Sequence, residues 1–316
     1  MNFFKKIKQN YNSKLANEFI QNKNFKELKS LLTDLYLKDL NLMHHIFNQN
    51  QMKLLDEENP NKDHGLIWVN SFLKEDTMFL TNFLDFYFSQ LNIKNETLSY
   101  QNFILQMNQK LGYKDMNFDQ FVSLSNFYQY CLKNCSSINL KLIENQTPFY
   151  EINNKIMFTY PVLTKCFFYI IRDPMEVLSM ITNESKNLEL SINKLLNLEQ
   201  KYFNYRSESS SIELPIQDWA THVESWTGEN VVNSFNGYIF NFNEYYIDPI
   251  ATLAGIIAHL NQTGSPIDLN YLLIEEFVQS NKNFSKKIEG YSISNQKKKL
   301  IKRQIEKTAK FWGFQI

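Results

Sequence analysis

Only three arginines, Arg172, Arg206 and Arg303, occur among the 316 residues, so lysine carries nearly all of the positive charge. Net charge is missing as well: Lys+Arg 33 balances Asp+Glu 33, so no global field draws in nucleic acid or an anionic membrane, and anion affinity must come from a local site. Cysteine is sparse. Cys131, Cys135 and Cys166 are an odd set, and Cys131-x3-Cys135 lacks the second ligand pair of a zinc site, so they read as free thiols in a reducing, cytoplasmic setting. None of the five histidines has a metal-ligand spacing to another, and no metal is expected. No run reaches the ~18 uninterrupted apolar residues of a spanning helix, and Met1–Lys8 has charge without a following apolar run, which excludes a transmembrane segment and a secretory signal from this reading. Low Gly, Pro and Arg with abundant Asn, Lys, Ile and Phe reflect composition bias. Triplets such as Asn95-Glu96-Thr97 and Asn183-Glu184-Ser185 are therefore chance matches to a glycosylation acceptor.

What is present is a hydrophobic content of 43%, enough to bury one large core with an accessory region. Residues 1–63 read as a helical N-terminal accessory region, with Phe25, Leu28, Leu31, Leu32, Leu35 and Leu40 at helical spacing. The polar stretch Glu57–Asp63, containing Pro60, suits a boundary, after which residues 64–316 form an α/β domain. Leu66–Val69 is a short strand, Ser71–Thr77 a turn, and Met78–Leu91 an aromatic-rich helix, the opening of a parallel sheet. Thr97–Cys135 reads as mostly helical, Lys155–Phe158 as a sheet strand, Leu188–Phe203 as a helix and Arg206–Ser211 as a serine-rich loop. A helix around Trp219–Trp226, a strand at Tyr238–Phe242 and a helix at Pro249–Leu260 follow. The final helix, Gln296–Phe311, is basic and amphipathic. Its solvated face over a packed Leu300, Ile301, Ile305 and Phe311 stripe is the favoured reading, and membrane-surface binding the alternative.

Phe167–Ile171 is a run of five apolar or aromatic residues, a buried strand, and Pro174 is pre-set to start the helix after it. Arg172 thus sits at the carboxyl end of a buried strand, where open α/β sheets bind ligands. A planar guanidinium there can grip a phosphate bidentately, or it can pair with Asp173.

In this order and spacing, residues 65–316 resemble the sulfotransferase family. Leu66–Leu80 is similar to the family's strand and phosphosulfate loop, Phe167–Ser179 to its 3′-phosphate strand and helix, Trp219-Ala-Thr-His-Val-Glu-Ser-Trp226 to its Trp-x-x-His-Val-x-Ser-Trp helix, and Tyr238–Leu260 to the strand, Asp-Pro and helix that follow. The resemblance implies a P-loop-like α/β fold, a central parallel sheet with helices on both faces. It also implies sulfuryl transfer from 3′-phosphoadenosine 5′-phosphosulfate (PAPS) to a hydroxyl- or amine-bearing acceptor. It makes Lys74 a catalytic and cofactor-binding residue, aligns Gln146 with the family's catalytic histidine, and leaves Thr77, Arg172 and Ser179 to hold the nucleotide.

The loops depart from the family pattern. Glu75 and Asp76 stand where it has serine and glycine, Met78 where it has threonine, and Met180 where it has a phosphate-binding serine. Each carboxylate opposes a polyanion by on the order of several kcal/mol at about 4 Å and an effective dielectric of ~20. Asp76 is expected to cap its own helix in the phosphate's place. Gln146 cannot take a proton near neutral pH, and Glu144 is the one nearby carboxylate that could. The family's C-terminal Arg-Lys-Gly loop is missing; Asn281–Lys287 is the nearest basic stretch. These departures imply a decayed site with weak or no catalysis, in a protein that binds or assembles, with its N-terminal helices as a partner-docking module. The alternative is an active PAPS-dependent enzyme with a remodelled site. Trp219, Val223 and Trp226 are expected on the inner face of one helix, with His222 partly exposed and non-catalytic.

Overall fold

The structure, a computed structural model, describes residues 3–56, 65–112, 115–116, 118–135, 140–149, 151–152, 156–157, 159–198, 202–206, 211–215, 217–264, 267–285 and 293–315. Helices α1 (Phe3–Gln21), α2 (Phe25–Lys38) and α3 (Leu40–Asp56) lead into β1 (Gly65–Ser71), α4 (Lys74–Gln90), β2 (Asn95–Ser99), α5 (Tyr100–Leu111), β3 (Asp115–Met116), α6 (Phe118–Asn134) and β4 (Leu140–Asn145). The short β5 (Glu151–Ile152) and β6 (Ile156–Met157) precede β7 (Thr164–Ile171), α7 (Pro174–Ser185), α8 (Leu188–Leu196), β8 (Tyr202–Arg206) and β9 (Ser211–Pro215). The chain closes with α9 (Trp219–Thr227), α10 (Glu229–Ser234), β10 (Gly237–Asn241), α11 (Phe242–Ile247), α12 (Pro249–Gln262), α13 (Tyr271–Ser280) and α14 (Asn295–Phe311).

Every residue of β1 and β7 is buried, as continuous apolar strands covered on both faces must be. They are adjacent and parallel in a five-stranded sheet of order β10-β7-β1-β4-β2, in which every pairing is parallel. Alternation along each strand sends Trp68, Ile143, Phe167 and Tyr169 into one core, with α5–α9 and α14. Ile67, Val69, Leu142, Phe168 and Phe240 enter the other, with α4, α12 and α13. From β1 the chain builds β2 and β4 on one side, then β7 and β10 on the other. The switch point therefore lies at the carboxyl end of β1, the usual ligand position in such sheets.

α2 and α3 share the first core. Leu28, Leu32, Met43 and Phe47 are buried in it, and the Phe47 ring lies 5.4 Å from Phe127 and 5.1 Å from Tyr130 of α6. The 57–63 boundary and His64 lie outside the described residues.

Helix α4 begins at Lys74 rather than Met78, leaving only Phe72 and Leu73 between strand and helix. No glycine is available in 72–77 to hold an open loop, and Glu75 and Asp76 favour a helix start by facing its positive end. β6 lies apart from the main sheet, in an antiparallel pair with β5, while Lys155 and Phe158 fall outside the described residues. The helix expected over Leu188–Phe203 stops at Leu196 because Asn197 adopts the left-handed cap (φ 49°, ψ 45°), and β8 then pairs antiparallel with β9. Residues 207–210 of the serine-rich stretch are also outside the described set. Strands β2 and β4 fall where the sequence pattern marks no strand. β2 is a half-buried polar strand at the sheet edge, and Lys141 and Glu144 break the apolar signal of β4.

Candidate functional site at the carboxyl end of the sheet

β1, β4 and β7 all deliver side chains to the switch point, and the chemistry there is dominated by one ion network. Arg172, just past β7, is only 5% exposed. Its Nε and Nη2 both donate to Asp76 Oδ1, at 3.0 and 2.7 Å. Its Nη1 donates to Glu176 Oε2 at 3.2 Å and to the Tyr246 hydroxyl at 2.5 Å, and that hydroxyl donates to Glu176 Oε2 at 2.7 Å. The Phe242 ring closes one face of the guanidinium, 3.5 Å from Cζ. Burial is the largest single influence and disfavours the arginine's charge, but the Asp76 carboxylate, its hydrogen bonds, and Tyr246 and Glu176 together outweigh it and raise the arginine pKa.

Asp76 is 1% exposed in the first turn of α4. The expectation that it caps its own helix is not met. The N-cap position, Leu73, offers no side-chain cap, and Asp76 turns instead to Arg172 and accepts from Ser71 Oγ at 3.3 Å. A charge-assisted bond to a buried guanidinium outweighs a cap of about 1 kcal/mol. Nor does Arg172 pair with Asp173, whose Oδ1 accepts from Met175 N at 2.8 Å and caps α7.

The other site residues divide between two places. Thr77 is buried; its hydroxyl donates to Lys74 O (2.8 Å) and accepts from Gln146 Nε2 (3.1 Å). Lys74 is exposed at the rim of a cleft of about 240 Å³ beside Gln146. That cleft carries Lys74 and Lys194 against Glu75 and Glu184, two charges of each sign, and falls below the roughly 300–1,000 Å³ of small-molecule sites. Ser179 is buried within α7, its hydroxyl donating to Met175 O at 2.9 Å, and neither it nor Arg172 lines the cleft. Glu144 accepts from Thr81 Oγ1 at 2.6 Å and likewise lies off the cleft. The structure thus brings Lys74, Thr77 and Gln146 together, and holds Arg172 and Ser179 in the adjoining core.

Trp219, Val223 and Trp226 are buried on the inner face of α9. His222 is buried too, at 2% exposure, against the expectation of partial exposure. Its Nε2 faces the Gln146 carbonyl at 3.1 Å and so carries the proton, leaving Nδ1 to accept from the Tyr169 hydroxyl at 2.8 Å. Burial lowers its pKa to about 4. The Trp-x-x-His-Val-x-Ser-Trp helix works here as a clamp. His222, Ser225 and Trp226 bond the backbone of Gln146, Phe149 and Thr147, the last two at 3.0 and 2.9 Å. Asn145 extends the clamp, donating to Asn70 Oδ1 at 3.0 Å and accepting from the Thr147 hydroxyl at 2.7 Å.

Among the described residues no group of three or more His, Cys, Asp or Glu is placed to hold a metal ion, and no helix is long and apolar enough to cross a membrane. No protein-family model matches the chain, and no curated protein matches its sequence. Among solved structures it is similar to the mouse sulfotransferase SULT7A1 complexed with PAP, at 12% identity and TM-score 0.45, over 81% of this chain and 88% of that one. A likeness of that size fixes neither family nor activity.

Proposed function

We propose that this chain is a sulfotransferase-like protein in which an internal carboxylate stands in the anion position, and that it acts by binding or assembly rather than by sulfuryl transfer. The observation that carries this reading is the enclosure of Arg172, whose guanidinium is spent on Asp76, Glu176 and Tyr246 and roofed by Phe242. A nucleotide phosphate would have to displace a buried carboxylate to reach it. The balanced charges of the cleft add no attraction for a polyanion such as PAPS. Gln146, tethered to Thr77, is no proton acceptor, and His222 has both ring nitrogens engaged. The N-terminal helices are the proposed docking module for a protein partner, because Tyr11, Leu37 and Met52 leave large apolar groups 64%, 77% and 59% exposed on them.

One feature favours the second reading, an active enzyme in which Lys74, Thr77, Arg172 and Ser179 hold PAPS. Lys74 is exposed at the start of α4, a helix whose first turn has no side-chain cap. The test is turnover: incubation with PAPS and a panel of hydroxyl- and amine-bearing acceptors. No sulfated product is expected, and product that is lost in Lys74→Ala would replace the first reading with the second.

A further inference from the structure

Helix α14 concentrates a charge that the whole chain lacks. Lys297, Lys298, Lys299, Lys302, Arg303, Lys307 and Lys310 face a single acid within the helix, Glu306. Glu306 engages Lys302 at 3.7 Å and Lys310 at 2.6 Å. Lys297, Lys298, Lys299, Arg303 and Lys307 form no ion pair among the described residues. The inner stripe of the helix, Ile301, Ile305, Thr308 and Ala309, is already buried, and Thr308 donates to Glu224 Oε1 at 2.5 Å. The helix is therefore fixed in place with Lys298, Lys299, Lys302, Arg303, Lys307 and Lys310 exposed and Lys297 half-buried.

Two apolar side chains break that basic face. Leu300 is 38% exposed and Phe311 79% exposed. Eleven residues apart, they lie on one side of the helix about 16 Å from each other, with Arg303 and Lys307 between them. Phe311 packs its ring at 5.2 Å against Trp312, itself half-buried, which puts an aromatic pair at one end of the stripe. Lysines and an arginine interleaved with an exposed leucine and an aromatic pair combine attraction to phosphate headgroups with side chains suited to the headgroup and acyl boundary.

We propose that the outer face of α14 docks this protein on an anionic lipid surface as a peripheral contact. Charge complementarity identifies the occupant. Such a surface is extended and negative, and it accepts apolar side chains between its headgroups, which a polyanionic oligonucleotide does less readily.

The test uses the full chain with vesicles of phosphatidylcholine alone or mixed with phosphatidylserine. Co-sedimentation is expected only with the mixed vesicles, falling as salt rises. The triple variant Lys297→Glu, Arg303→Glu, Lys307→Glu should abolish it, and neutralising each lysine singly should weaken partitioning about five-fold. Leu300→Ser with Phe311→Ser, an uncharged change, should also weaken it, with a cooperative thermal transition retained as the control for folding. Trp312 supplies an internal probe, since the other three tryptophans, Trp68, Trp219 and Trp226, are fully buried. Its emission should shift to the blue on vesicle binding, and the shift should vanish in Trp312→Phe. Absence of binding to mixed vesicles, equal binding to phosphatidylcholine alone, or binding intact in the folded triple variant would overturn the proposal. So would a single-stranded oligonucleotide that outcompetes the vesicles at equal salt, which would assign the face to nucleic acid.

Discussion

Replacing Asp76 with alanine tests whether its carboxylate sits where an anionic ligand would. At an effective dielectric of ~20, two charges about 4 Å apart attract by about 4 kcal/mol, and removing one partner of a buried pair costs roughly 3–5 kcal/mol because the other charge is left uncompensated. Glu176 and Tyr246 remain on Nη1, so the guanidinium keeps part of its support. For a chain of 316 residues that unfolds as a unit, this loss lowers Tm by roughly 5–8 °C. The double variant Asp76→Ala, Arg172→Met, which removes both charges, should lose less than the sum of the single variants, with a coupling of about 2 kcal/mol or more. The same vacancy should admit an anion. Inorganic phosphate or adenosine 3′,5′-bisphosphate (PAP) is expected to raise the Tm of Asp76→Ala and of the loop variant Glu75→Ser, Asp76→Gly, and to leave wild type unmoved. Calorimetric scans at fixed ionic strength, with chloride as the control anion, separate site binding from screening. A loss under about 1 kcal/mol in Asp76→Ala, or the absence of coupling to Arg172, would refute the energetic role given to the pair.

Tyr246→Phe removes the hydroxyl that bridges Arg172 and Glu176, and should cost about 1.5–3 kcal/mol by urea denaturation, the range for a bond to a charged group. Trp226→Phe deletes the bond to Thr147 O and leaves a cavity where the fully buried indole sat, so it should cost more than the roughly 1 kcal/mol of the bond alone, with faster amide exchange at residues 145–149 as the sign that the clamp has loosened. His222 binds its proton more weakly folded, at a pKa of about 4, than unfolded, at about 6.5, so the unfolded state holds more protons between those values. Stability should therefore fall as pH drops through that window, by up to about 3 kcal/mol from this residue, and His222→Gln should flatten the profile. His44, also lowered to about 4, adds to the wild-type slope in the same direction.

The sheet was legible where strands are continuous apolar runs. β1 and β7 announce themselves, whereas β4 carries Lys141 and Glu144 and β2 is polar at the edge, so neither period nor composition marks them. Arg172 was legible as an unusual residue in a telling place, but its partners were not. Asp76 lies 96 residues away in sequence and Tyr246 lies 74 away, and only the tertiary fold brings them together. Helix spacing could have corrected the expectation for His222. It follows Trp219 by three residues and precedes Trp226 by four, so it shares their inward face. The early start of α4 runs against the resemblance, which implies a loop at 74–77 that Lys74, Glu75, Asp76 and Thr77 have no glycine to form.

The most direct test of the enclosed-arginine claim is a thermal unfolding scan of the wild-type protein with and without millimolar PAP. A ligand at 100 times its Kd adds about 2.7 kcal/mol, which for this chain length is a rise of roughly 4 °C. The filled anion position predicts no resolvable rise in wild type. A rise of roughly 4 °C would contradict it, because the nucleotide would then be reaching a site that Asp76 is held to occupy.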